Sequence, residues 1–282
     1  MKYEHIIEKL LFVCASASTI VIFLIVYYLM RNGIHILSLD FVFGPVYNPG
    51  TSRFGIFPII VTNFATAMYS LMIATAIGLP TAIFLSEYSP FWLRNIIKPL
   101  IEVIVGIPSV VIGFWGLIVL VPIIRNLFPS TQGQSMLTGA IVLAFMTLPT
   151  LISLAEDSLR AVPNAYREAS LALGATRLQT TTRVVIPTAS SGIRAAMVLA
   201  MGRAIGETMA ALMVIGNPYL PWVTLNPLDI VRTLPTTIAL EFSYVEFFSE
   251  HYYALFGMGV VLFISVFMMN LVATYFTGRS KM

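Results

Sequence analysis

Six stretches of this chain run for twenty residues or more with almost no polar interruption. Between them, charges, prolines and glycines return. The stretches are 10–30, 56–85, 103–124, 136–155, 195–216 and 252–276. In a helix, about 20 apolar residues cover the roughly 30 Å of hydrocarbon in a bilayer, so each stretch predicts a transmembrane helix. The second is overlong and carries Pro58, Gly78 and Pro80, which predicts tilt or a kink near its end. The first reads as a retained span rather than a signal peptide. Its apolar core is too long, and Arg31-Asn32 follows where a small-residue cleavage site belongs. Tyr27, Tyr28, Trp92, Tyr219, Trp222, Tyr252, Tyr253 and Tyr275 gather at span ends, where amphipathic rings favour the headgroup layer. The expectation is an all-α integral membrane protein of about six transmembrane helices, with one membrane domain and no soluble appendage.

Composition agrees. Of 282 residues, 58% are hydrophobic and 10% charged, more apolar surface than a soluble fold can hide. The net charge of +3 points to basic loops on the cytoplasmic side rather than to nucleic acid. With six spans both termini share a side, and that side holds eleven basic residues: Lys2, Lys9, Arg94, Lys98, Arg160, Arg167, Arg177, Arg183, Arg194, Arg279 and Lys281. The other holds Arg31, Arg53, Arg125 and Arg232, so the termini are expected in the cytoplasm of a multi-pass inner-membrane protein. The single cysteine, Cys14, excludes an intrachain disulfide, and no Cys/His spacing suggests a metal. His5, His35 and His251 fall near span borders and read as interfacial residues. No nucleophile–base pair is visible, which argues against an intramembrane enzyme, and no catalytic residue is assigned.

Residues 156–194 form an unusually long loop with internal order. Pro163 suits a first helical turn, a run of good helix formers follows, and Gly174 stands where a left-handed cap ends a helix. A second helical arm from Arg177 to Ile186 is then broken by Pro187, and both arms are expected outside the bilayer.

The run Glu168-Ala169-Ser170-Leu171-Ala172-Leu173-Gly174, nine residues, then Val184-Val185-Ile186-Pro187 resembles the EAA motif of ABC importer permeases. That motif reads E-A-A, three residues, G, nine residues, I-x-L-P. Ser170, Val184 and Ile186 are mild departures. Three further segments resemble the phosphate-specific transport (Pst) permeases: Gly106-Ile107-Pro108-Ser109 continuing to Leu117, Gly202-Arg203-Ala204-Ile205-Gly206-Glu207-Thr208-Met209-Ala210, and Phe54-Gly55-Ile56-Phe57-Pro58. The continuation through Asn217 is closer to the PstC than the PstA type, whereas Arg232-Thr233-Leu234-Pro235 looks more like PstA.

The resemblance implies a MetI-like permease fold, with a membrane helix and external loop over residues 1–55 and a five-helix core over 56–282. It implies import of inorganic phosphate, with other oxyanions (molybdate, tungstate, sulfate) as the alternative. In that family the short helix is the coupling helix, which docks on an ATPase; this assigns Glu168, Ala169, Ser170, Gly174 and Pro187 to coupling. The chain has no Gly-Lys dipeptide and hence no phosphate-cradling nucleotide loop. No cofactor is therefore expected on this chain; ATP and Mg would be used by a partner. The implied partners are a second, PstA-like permease subunit, two ATPase subunits and an extracytoplasmic phosphate-binding protein.

Arg203 and Glu207 are the charges inside the fifth stretch. An arginine at mid-bilayer costs about 2.5–3.5 kcal/mol on insertion scales, so it should face the bundle or an aqueous path. In an unbroken helix Glu207 lies one turn on, on the same face. Two readings stay open. Arg203 presents a guanidinium to a passing oxyanion while Glu207 tempers it; or the two pair as helix glue, helped by the small-residue spacing Gly202-xxx-Gly206. Thr208 offers a hydroxyl to the solute or bonds its own backbone. Gly106-Ile107-Pro108-Ser109 either unwinds the third span beside a cavity, bringing Ser109 to the path, or only kinks it.

Overall fold

The computed structural model describes residues 2–278. Arg279 and Lys281, counted above toward the cytoplasmic side, lie outside the described residues. Six helices are long and apolar enough to cross a membrane: Ile7–Gly33, Phe57–Tyr88, Ser109–Leu127, Met136–Arg160, Arg177–Gly206 and Glu250–Tyr275. They are called the first to sixth spans below.

The second, fourth and fifth spans form the centre. Ala74, Ala82, Ala144, Ala155, Ala189, Ala196 and Ala200 line their contacts, with Leu151, Leu159 and Val185 filling the spaces. Lipid tails give no hydrophobic incentive for helices to meet, so close approach over small side chains holds such a bundle. The sixth span packs on the fifth, and the first touches chiefly the sixth. Tyr28 and Tyr252 share a hydroxyl contact of 3.1 Å across that pair. A short antiparallel hairpin, Tyr47–Asn48 with Arg53–Phe54, follows the first span.

Three boundaries differ from the sequence reading. The third stretch is not one helix from residue 103. An amphipathic helix, Phe91–Val105, stops at Gly106, and a new helix begins at Ser109 after an extended Pro108 (φ −57°, ψ 134°). The chain unwinds there.

The fifth span starts at Arg177, not near residue 195. Arg177–Thr180 runs through a π-helical turn, Thr181–Val185, into Ile186–Gly206, so the second arm is the base of the span rather than a separate element. Pro187 does not break it, because the wide turn immediately before it already departs from the ladder that a proline would interrupt. Thirty residues extend about 45 Å, more than the hydrocarbon needs. The basic end with Arg177 and Arg183 can therefore project beyond it.

Finally, the fifth span ends at Gly206. Glu207 is extended (φ −71°, ψ 129°), and a separate short helix, Met209–Val214, follows.

Candidate functional site

Two helix discontinuities lie side by side. Gly113 of the third span approaches Ala210 so closely that a Cβ there would sit 2.8 Å from the Ala210 Cα; a Cβ on Gly116 would sit 3.1 Å from Val214. These contacts run Ser109–Trp115 and Met209–Val214 parallel. Ser109, one turn before Gly113, is thereby brought level with the break at Gly206–Thr208.

The short helix is anchored at its far end by donors from other segments. Gln134 Nε2 donates to the Met213 carbonyl, the Ser135 N–H to Val214, and Asn217 Nδ2 to Leu212. These satisfy carbonyls that a helix end leaves open. Ser135 caps the fourth span, so this level marks one edge of the bundle. Arg203 lies eleven residues before Val214, about 16 Å deeper and roughly half-way through the hydrocarbon.

Arg203 does not pair with Glu207, and the expectation of a shared helical face is corrected: the extended backbone at Glu207 turns its side chain away from that face. Arg203 is half-buried, and its Nη1 donates to Thr150 Oγ1 of the fourth span at 2.9 Å. The long side chain leans toward its own helix N-terminus, as helical side chains do. It sits in the last turn of its helix, where the dipole favours a cation.

Glu207 instead caps the next helix, Oε1 accepting from the Ala210 N–H at 3.4 Å. Thr208 Oγ1 donates to the Gly206 carbonyl at 3.4 Å. The side chains at the break thus satisfy part of the backbone it frees. Gly202 and Gly206 do not act as a close-packing pair within this chain: a Cβ at Gly202 would meet only Met269 at 3.8 Å, and one at Gly206 would meet nothing. Thr150 was not foreseen. Its only sequence signal was a hydroxyl after Pro149 in an apolar run.

At the opposite edge the elbow forms as the glycine predicted. The helix Asn164–Ala172 ends in a left-handed Gly174 (φ 82°), with Gly174 N–H bonded to the Leu171 carbonyl and Ala175 N–H to Ser170. Ser170 Oγ and Thr180 Oγ1 meet at 2.9 Å across the turn. Glu168, Ala169 and Pro187 are exposed. So is an apolar rim with Tyr166 and Leu173, the latter 89% exposed. A Cβ on Gly174 would touch nothing, so only its φ demands glycine. Gly174→Ala should cost about 1 kcal/mol and keep the elbow. Gly174→Pro, which forces φ negative, should open it. Limited trypsin digestion at Arg177 checks this, with faster cleavage expected only for the proline.

Residues 77–281 match the family model described as "Binding-protein-dependent transport system inner membrane component". The chain belongs to this family. It is a multi-pass permease of the ABC transporter class. The relatives include the probable ABC transporter permease protein YqgH of Bacillus subtilis (strain 168), 40% identical over 252 residues, 89% of this permease and 80% of that protein. The phosphate transport system permease protein PstC of Mesorhizobium japonicum is 34% identical over 262 residues, 86% of this permease and 79% of that protein.

Solved structures agree on the fold. A chain of the bacterial alginate ABC transporter aligns with a TM-score of 0.63 at 16% identity, over 98% of this permease and 97% of that chain. A chain of the MetNI methionine ABC transporter aligns at 0.59 and 18%, over 78% and 93%.

The permease holds a second charged cluster that sequence reasoning missed. Arg232 Nη2 pairs with Glu241 Oε1 at 2.6 Å, and His251 Nε2 meets Glu241 Oε2 at 2.7 Å. Tyr47 donates its hydroxyl to the same carboxylate. Burial, followed by the charge of Glu241 and the hydrogen bond to it, pushes the Tyr47 phenol far up, which keeps it a donor. His251 is therefore not merely interfacial; it is one of four side chains tying the hairpin, the 232–241 segment and the sixth span together. Nothing in the local sequence links positions 194 residues apart.

Proposed function

We propose that this chain is a PstC-like permease subunit of an ATP-driven importer of inorganic phosphate, forming half of the translocation path. The observation that carries the reading is Arg203: a mid-bundle guanidinium held by a neutral hydroxyl rather than by a carboxylate, so its charge stays available to an oxyanion. A planar guanidinium suits a tetrahedral oxyanion through paired N–H donors. Glu207, Thr208 and Ser109 flank the two breaks and would line the same passage. The relatives named as phosphate transport permeases support phosphate over molybdate, tungstate or sulfate, since the physics of an arginine alone serves any of them. Uptake into vesicles holding the full complex, challenged with each oxyanion, tests this. Phosphate alone should compete strongly, and equal competition by molybdate or sulfate would overturn it.

The exposed elbow helix with Glu168 and Ala169 is the surface for an ATPase subunit, and two such subunits would bind and hydrolyse ATP with Mg. A PstA-like second permease and an extracytoplasmic phosphate-binding protein complete the complex. The elbow and both termini face the cytoplasm, in keeping with Arg94, Lys98, Arg160, Arg167 and Arg177 on that side. In a Cys14→Ser background, an impermeant thiol reagent should reach a cysteine replacing Tyr219 in intact cells. It should reach one replacing Ala172 only after permeabilisation. The reverse pattern would invert the topology.

A further inference from the structure

We propose that Glu87, at the elbow-side end of the second span, is the positioning residue through which movement of the elbow reaches the rest of the bundle. The proposal rests on the reading of the elbow as the ATPase-facing surface. The elbow is continuous in chain with the fourth and fifth spans, so those two follow it by covalent connection. The second span has no such link, yet both arms of the elbow grip the same turn of it.

From the first arm, Arg167 forms a two-point ion pair with Glu87, Nε to Oε2 at 3.1 Å and Nη2 to Oε1 at 2.7 Å. The same guanidinium donates to the carbonyls of Val162 at 2.6 Å and Leu159 at 2.9 Å, where the fourth span runs out. From the second arm, Arg177 Nη2 donates to the Glu87 carbonyl, and its guanidinium lies over the Tyr88 ring at 5.0 Å. Tyr88 reaches Thr181 Oγ1 at 3.4 Å.

Exposed ion pairs are usually worth little, but this one is planar, two-pointed and largely covered: the Glu87 side chain is 8% exposed and that of Arg167 19%. The turn it grips, Phe84–Tyr88, leads within a few residues into Phe91–Val105, the helix that ends at the break before Ser109. That helix is fastened to the fourth span in its turn. Arg94 and Lys98 reach the buried Glu156 at 2.7 Å each, and Lys98 reaches Asp157 at 2.5 Å. Elbow, second-span end and the approach to the third-span break therefore form one clasped unit. A push on the elbow turns the unit and acts on the break.

The test uses the complete complex in proteoliposomes, with Cys14→Ser as background. Glu87→Gln keeps the shape and removes the charge. Glu87→Cys with Arg167→Cys removes the grip and allows it to be replaced by a reversible bis-methanethiosulfonate linker. Three quantities are read: ATPase co-purification, ATP hydrolysis and phosphate taken up per ATP. Glu87→Gln and the unlinked cysteine pair should retain the ATPase but lose about tenfold in uptake per ATP. Linking should restore the ratio, and reductant should abolish it again. Wild-type uptake per ATP in the unlinked pair would overturn the proposal. So would a linker that halts transport, which would mean the grip must open in each cycle, and so would loss of the ATPase that linking does not repair. If the unmutated permease fails to bind an ATPase through the elbow at all, the reading of that surface falls instead.

Discussion

Arg203→Gln is expected to lower phosphate uptake by about a hundredfold or more, with the complex still assembled and its basal ATP hydrolysis intact. Glutamine fills similar space and can still bond Thr150, so the fold has little reason to change. What disappears is the charge that faces a dianion in a region of low dielectric, and losing one side of such a contact costs about 2–5 kcal/mol. Because Arg203 is held by Thr150 and not by Glu207, the forecast for the partners is asymmetric. Glu207→Gln keeps the acceptor that caps Met209–Val214 and should transport measurably. Thr150→Val frees the guanidinium and should reduce uptake less than Arg203→Gln does. Radiolabelled phosphate uptake by vesicles of the four proteins decides. If uptake returns when Glu207→Gln is added to Arg203→Gln, the arginine serves packing and not the solute.

Glu241→Ala should be the most destabilising single change in the chain, by about 3–5 kcal/mol, because it strands a buried cation. Arg232 is 4% exposed, and among the described residues its Nε and Nη1 have no hydrogen-bond partner. Its compensation comes from Glu241, with the Tyr47 ring 5.9 Å from the guanidinium carbon. Exchanging both charges, Arg232→Met with Glu241→Leu, should recover much of the loss, since a buried pair replaced by apolar groups of like size is often neutral or better. Thermal unfolding of the permease in detergent measures both. A Glu241→Ala protein as stable as wild type would mean that water already reaches the cluster.

The count of membrane helices was legible because a span is set by the length and hydropathy of a continuous run, which no distant residue alters. The left-handed Gly174 was legible for a similar reason, as the cap of a helix is local chemistry. The base of the fifth span was not. Arg183, Pro187 and Arg194 look like loop residues, and a π-helical turn leaves no mark on the sequence that would reconcile a proline with a continuous helix. The same limit hid the break at Glu207. An arginine and a glutamate four apart imply a pair only if the helix between them is whole, and Gly206 ends it. Thr150, Glu87 and the Tyr47–Arg232–Glu241–His251 cluster owe their places to tertiary contacts, which single-chain patterning does not carry.

The π-helical turns also make helix length a control on identity of contact. Phe84–Tyr88 and Thr181–Val185 each fit one residue more into a turn than an α-helix would. Deleting a single residue there would let the turn tighten into ordinary helix with nothing broken in the ladder. Everything beyond it would swing by about 100° around the axis. Glu87 would then point away from Arg167, though every charge in the protein had been kept. At these two turns the tally of residues, as much as their chemistry, selects which side chain meets the elbow.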